Sequence, residues 1–282
     1  VARRRKRYRY RLRRLTPVVL AVVLAGLVGA WLGSRQTATS VAAAARPIVT
    51  PPHRARHIVR HRHRAVAVVP HLLVNGPLLQ HAFRPALLAR AAILVDASTG
   101  RVLWELNAHE RRHVASTTKI MTALLALRAL KPHEVVEVDK SVPLVPLVRE
   151  GLRAGERVQA WKLFYSMLLY SGNDDALALA IASAGDKWSF VREMNAEAHK
   201  LGLHDTHFIS PSGVVDRDNY SSAWDLAALT RVAMRDARFR RIVATRIERV
   251  KWSAPTFSKI YINNNRLLGT YAGANGVKTG YT

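Results

Sequence analysis

Ser116-Thr117-Thr118-Lys119 places a hydroxyl and a primary amine three residues apart. At the start of a helix, such a pair shares one face. The amine can take the hydroxyl proton if it is itself neutral, a state favoured by burial and by a neighbouring cation, both of which lower its pKa. The helix N-terminus also favours negative charge developing at the serine. Taken alone the pattern is a helix cap followed by an exposed lysine, because ordinary composition produces Ser-x-x-Lys by chance roughly once per 250 positions. Ser171-Gly172-Asn173 adds a second hydroxyl and a carboxamide on a glycine-containing connection, which by itself is a normal capping loop. Lys278-Thr279-Gly280 adds a lysine able to bind a carboxylate and to suppress protonation of another lysine, while Gly280 permits close approach of a second backbone.

These points are far apart in the chain, so the elements between them must bring them together. Residues 91–97 and 101–107 read as two strands of a hairpin around the turn Ser98-Thr99-Gly100. Residues 116–130 read as a helix with a broad apolar face from Ile120, Met121, Leu124, Leu125 and Leu127, ended by Lys131-Pro132. Helical patterns at 161–170 and 174–184 flank the second motif, and others cover 188–201 and 224–236. Residues 246–252 and 276–282 read as extended. Strands at both ends with helices between them imply a mixed α and β domain of the α+β class rather than a doubly wound sheet.

Upstream of this domain the composition changes. The chain of 282 residues carries a formal charge of +25, but its first acidic residue is Asp96, and the segment after it is only mildly basic. A basic N-terminus at 1–15 precedes an apolar segment within 16–34. Its uncharged core at 17–33 would form a helix of roughly 25 Å. That asymmetry predicts a cytoplasmic N-terminus, with a transmembrane anchor or signal h-region leading the rest of the chain outside. Residues 35–90, rich in His, Arg and Pro, read as a linker, and Arg60-His61-Arg62-His63-Arg64 reads as a solvated run rather than a metal site. Nucleic acid is not expected as a partner, because this basic stretch would lie outside the cell. With no cysteine, disulfides and thiolate chemistry are excluded. His199, His204 and His207 lack a convincing ligand spacing, Asp216-Arg217-Asp218 reads as a solvated loop, and neither metal nor cofactor is called for.

In this order, the three motifs resemble the Ser-x-x-Lys, Ser-x-Asn and Lys-Thr-Gly set of active-site serine penicillin-recognising enzymes. From residue 91 onward the text is similar to the serine D-Ala-D-Ala carboxypeptidases, the low-molecular-mass penicillin-binding proteins. The resemblance rests on Leu94-Val95-Asp96, Thr99-Gly100, 115–122, 168–174, Met194-Asn195, Ser212-Gly213, Asp225-Leu226-Ala227, Asn265-Arg266-Leu267-Leu268 and 276–282. It implies a β-lactamase/transpeptidase-like fold, with an antiparallel sheet against a helical subdomain and the cleft between them. It also implies a peptidoglycan stem-peptide substrate and acylation by β-lactam antibiotics. Ser116 would be the nucleophile, Lys119 its base and Ser171 a proton relay to the leaving amine. Asn173 would hold the substrate amide and Lys119. Lys278 and Thr279 would receive the terminal carboxylate, with Gly280 and Tyr281 lining the substrate strand and the Ser116 and Tyr281 N–H groups forming the oxyanion hole.

Val114 and Asp175 stand where the family has proline and alanine. The sequence stops at Thr282, directly after the third motif, so the 91–282 catalytic domain is expected to continue in a longer reading frame. A class A β-lactamase would need a Glu-x-x-Leu-Asn arrangement after the second motif, and none is found. A D,D-endopeptidase cutting cross-links would use the same residues, and an inactive basic module binding wall or membrane is the alternative from another class.

Overall fold

The computed structural model describes residues 72–74, 85–214, 217–252 and 257–281, all within one unit spanning 64–282. The expected basic N-terminus, apolar segment and most of the linker lie outside the described residues, as do Asp216 and Thr282. Leu72, inside the expected linker, is buried in the core, and Leu73 bridges the strand that begins after Gly100, with Leu73 N donating to Gly100 O at 2.9 Å.

The expected hairpin is present as β1 (Ala92–Val95) and β2 (Val102–Leu106), antiparallel. Its turn closes because Asp96 Oδ1 accepts from Ser98 N and Thr99 N at 2.9 and 3.1 Å. Gly100 supplies the positive φ of 83° that the turn requires. β3 (Arg112–His113) pairs with β6 (Tyr220–Ser221), β4 (Val135–Glu137) with β5 (Arg157–Gln159), and β7 (Ile247–Val250) with β8 (Lys259–Ile262), all antiparallel. The antiparallel sheet is thus present, among the described residues, as separate two-stranded ladders. The segment read as extended through the third motif joins no ladder as far as Tyr281.

Among the described residues, six α-helices lie between and around these strands: α1 (Lys119–Ala129), α2 (Ala160–Tyr165), α3 (Asn173–Ala184), α4 (Lys187–Lys200), α5 (Ala223–Ala233) and α6 (Ala237–Ala244). Helix α1 is central and packs against α3, α4, α5 and α6. Ile120, Met121, Ala123, Leu124, Ala126 and Leu127 are all buried, so it is apolar on nearly every side, as a core helix must be. Each buried Leu or Met in it contributes about 1.5–3 kcal/mol relative to exposure.

Three local departures from the periodic reading matter for the site. The helix expected from residue 116 starts as a 3-10 turn, Ala115–Thr118, before α1. The pattern at 161–170 splits into α2 and a π turn, Ser166–Tyr170, closed by Ser171 N donating to Ser166 O at 3.0 Å. Asp236, read as the tail of one helix, instead caps the next: its Oδ1 accepts from Arg238 N at 2.8 Å and opens α6. Phe239, Ile242 and Val243, at spacings of three and four, are the buried face of α6.

Candidate active site

The 3-10 turn is what aligns the first pair. At three residues per turn, positions i and i+3 eclipse one another. Ser116 sits on this turn, Lys119 opens α1, and their Oγ and Nζ lie 3.0 Å apart. Ser116 is half-buried and reachable, whereas Lys119 is fully buried at 0% exposure. Lys119 Nζ also donates to Asn173 Oδ1 at 2.8 Å and to the carbonyl of Ser212 at 3.0 Å.

That inventory is met by an ammonium donating three hydrogens or by a neutral amine, and burial favours the neutral form. An NH2 group has two hydrogens and one lone pair. Two carbonyl oxygens take the hydrogens, which leaves the lone pair for the Ser116 hydroxyl. Burial is the main cause that pushes the Lys119 pKa well below the ordinary lysine value, and the charge of Lys278 adds to it. Asp175 and Asp174 act in the opposite direction. Lys278 is itself held down to about 8 by burial, and its Nζ donates to Thr279 O at 2.8 Å.

Each remaining residue is positioned by its local backbone. The π turn ends at Ser171, which is buried and left-handed at φ 78°, and Asn173 follows as the first residue of α3. Asn173 Nδ2 donates to Pro146 O at 2.9 Å, which fixes the amide so that Oδ1 faces Lys119. The loop carrying Pro146 is held in turn by Asp174. Its carboxylate accepts from the backbone N–H groups of Glu150, Gly151 and Leu152 at 2.7, 2.8 and 3.1 Å.

The loop carrying Ser212 is held from α1 and from the segment before α5. Thr122 Oγ1 donates to Pro211 O at 2.6 Å, and Asn219, whose Oδ1 accepts from Ile209 N at 3.3 Å, donates from Nδ2 to Thr118 Oγ1 at 2.8 Å. Gly213 lies so close that a Cβ on it would fall 2.0 Å from the Ala115 carbonyl oxygen. A cavity of about 340 Å³ beside this loop is lined by Pro146, Ser212, Leu144, Leu177 and Lys187, among others, and so adjoins two of the carbonyls that cradle the site.

The third motif reaches the first through its glycine. A Cβ on Gly280 would meet Val114 O at 3.0 Å and Thr117 Cγ2 at 3.1 Å, so this backbone lies against the turn that carries Ser116. Thr279 is half-buried, and the Tyr281 side chain is 96% exposed. Ser116, Lys119 and Asn173 therefore share one hydrogen-bonded cluster, Lys278 acts on it through charge, and Gly280 brings the Tyr281 backbone toward it. The sequence reading missed the carbonyls of Ser212 and Pro146. Its one available signal was the Ser212-Gly213 pair, where glycine marks a close backbone approach.

Residues 79–282 match the D-alanyl-D-alanine carboxypeptidase family. The chain is 34% identical over 200 residues to the D-alanyl-D-alanine carboxypeptidase DacF of Bacillus subtilis, covering 69% of this chain and 51% of that one. It is 35% identical over 213 residues to a D-alanyl-D-alanine carboxypeptidase of a Streptomyces strain, covering 70% and 73%. The chain thus spans about half the length of the Bacillus relative. Among solved structures, a Streptomyces DD-transpeptidase superposes with a TM-score of 0.66 at 33% identity, over 71% of this chain and 82% of that one. A Mycobacterium tuberculosis D-alanyl-D-alanine carboxypeptidase gives 0.65 at 33% identity, over 69% and 73%.

Proposed function

The chain belongs to the D-alanyl-D-alanine carboxypeptidase family, and from that premise we propose that it removes the terminal D-Ala of peptidoglycan stem peptides through an acyl-enzyme on Ser116. Penicillins acylate the same serine. The observation that carries this reading is the Lys119 amine, buried, with two carbonyl acceptors and its remaining site 3.0 Å from Ser116 Oγ.

Lys119 accepts the Ser116 proton as Oγ attacks the penultimate D-Ala carbonyl. The N–H groups of Ser116 and Tyr281 stabilise the oxyanion, a contribution of about 3–4 kcal/mol per donor. Ser171 relays the proton from Lys119 to the departing D-Ala amine, which leaves Lys119 neutral again. Lys278 and Thr279 hold the terminal carboxylate, and a charge-assisted contact of that kind suits an ammonium that is still protonated near neutral pH. Water then attacks the ester, giving up a proton to Lys119, and Lys119 passes that proton to the departing Ser116 Oγ.

The basic segment at 1–15, the apolar segment at 16–34 and the linker at 35–90 support a catalytic domain at 91–282 working on the outer side of the membrane, anchored or secreted.

A fluorescent penicillin should label the full chain covalently, and Ser116→Ala should abolish the labelling. Persistent labelling of that variant would overturn the nucleophile assignment. Release of D-Ala from a pentapeptide, set against cleavage of a cross-linked dimer, separates carboxypeptidase from endopeptidase action.

A further inference from the structure

Beneath the second motif lies a buried polar cluster that the proposed reaction does not use. Ser166, in the π turn, has its Oγ between two carboxyls: Glu150 Oε2 at 3.1 Å and Asp175 Oδ2 within hydrogen-bond distance. A hydroxyl has one hydrogen and can donate to only one of them. Glu150 is the member with a cation, because Lys259 Nζ lies 2.8 Å from its Oε1 and also donates to its backbone carbonyl at 2.6 Å. Among the described residues Asp175 forms no such ion pair, and Lys119 acts on it only as a nearby charge. Asp175 is fully buried, and its Oδ1 has no hydrogen-bond partner among the described residues. The neighbouring Asp174 carboxylate is already committed to backbone N–H donors.

We propose that Asp175 is held as a protonated carboxylic acid, donates its hydrogen to Ser166 Oγ, and acts as a positioning residue that seats Gly172 while withholding negative charge from Lys119. In this arrangement the Asp175 O–H donates to Ser166, and Ser166 donates onward to the Glu150 carboxylate that Lys259 neutralises. Each hydrogen then has one acceptor, and no buried anion is left bare. The contact with the second motif is direct, since a Cβ on Gly172 would fall 1.9 Å from Asp175 Oδ2.

The electrostatic environment agrees. Burial, first, and then the charges of Asp174 and Glu150 raise the Asp175 pKa well above the carboxylate range, against the opposing effects of the Ser166 hydrogen bond and Lys119. Tyr261, from β8, also adjoins Glu150, and burial raises its phenol pKa, so it supplies no competing anion. An ionised Asp175 would favour protonated Lys119, the form that cannot act as a base.

This inference rests on Lys119 serving as the base of the proposed function, and its test has a readout that needs no turnover. The infrared spectrum of the full chain at neutral pH is expected to contain a protonated-carboxyl C=O band that Asp175→Asn removes and Ser166→Ala shifts. In the penicillin acylation rate, the acid limb that reports Lys119 protonation is expected to keep its midpoint in Asp175→Asn, because one neutral group replaces another. A downward move of about one pH unit or more would mean that a negative charge had been removed, and would overturn the proposal. Absence of the infrared band from the unsubstituted protein, or its survival in Asp175→Asn, would overturn it equally. Failure of the unsubstituted protein to react with penicillin would instead strike the enzymatic reading, with the infrared result still deciding the state of Asp175.

Discussion

One lysine acts on another in this site, and the proposed chemistry needs them in opposite states. Lys119 must be neutral to accept a proton, whereas Lys278 must be charged to hold a carboxylate. Burial drives both pKa values down, that of Lys278 to about 8, and on Lys119 the charge of Lys278 adds to the effect of burial. Removing that charge has two separable effects. Lys278→Met should raise KM for a stem peptide by about 10- to 150-fold, the value of a hydrogen bond to a charged group. It should also move the acid limb of penicillin acylation to higher pH, because protonated Lys119 loses a like-charged neighbour. In the unsubstituted protein KM should climb above about pH 8, as Lys278 gives up its proton, and in Lys278→Met that rise should vanish. Steady-state KM and stopped-flow acylation across pH measure both effects. An acid limb that stayed in place in the variant would show that Lys278 does not tune Lys119.

Much of the positioning is done by backbone carbonyls on loops, and this sets how far residue types could be read. The apolar periodicity of α1, α3, α4 and α5 was legible because those helices turn a repeating set of side chains toward the core. Periodicity does not separate i+3, i+4 and i+5 hydrogen bonding over a single turn, so the 3-10 turn under Ser116 and the π turn before Ser171 were read as plain helix. The start of α6 was hidden because Asp236 looked like the continuation of the helix before it. Ser116, Lys119, Asn173 and Lys278 could be singled out because their side chains are chemical. The Lys119 acceptor at Ser212 and the Asn173 acceptor at Pro146 could not, because every residue has a carbonyl. Gly213 makes the loop contribution measurable. At φ 74°, with the Ala115 oxygen in the way, Gly213→Ala should destabilise the fold by at least about 2 kcal/mol and lower acylation at least tenfold by moving the Ser212 carbonyl off Lys119. Gly273→Ala isolates the backbone strain alone, since φ is 87° there and nothing lies within 4 Å. It should cost about 1–2 kcal/mol with acylation unchanged. Urea unfolding and acylation rates compare the two, and equal losses of acylation in both would remove the Ser212 carbonyl from the site.

Over the whole molecule the charge is divided rather than spread. A long basic stretch without a single acidic residue precedes Asp96, whereas the described domain mixes both signs and pairs several of them, as in Arg128 with Glu197 at 2.7 Å. Among the described residues no helix is long and apolar enough to cross a membrane, and the apolar segment at 16–34 lies outside them. There the basic cluster ends where the apolar run begins, and positive charge resists transfer across the bilayer, so the cluster should stay inside and the domain should go out. In cells producing the full chain, the penicillin-labelled protein should therefore be digested by protease added outside intact protoplasts. If residues 17–33 remain attached, it should stay with the membranes through a high-salt wash that strips proteins held only by charge. If that segment is cleaved, the labelled protein should appear in the medium. Either distribution is compatible with a site that meets peptidoglycan, because both put Ser116 on the side where the polymer is built. Labelled protein shielded from the external protease would place the serine on the wrong side of the membrane and would overturn the assignment of its substrate.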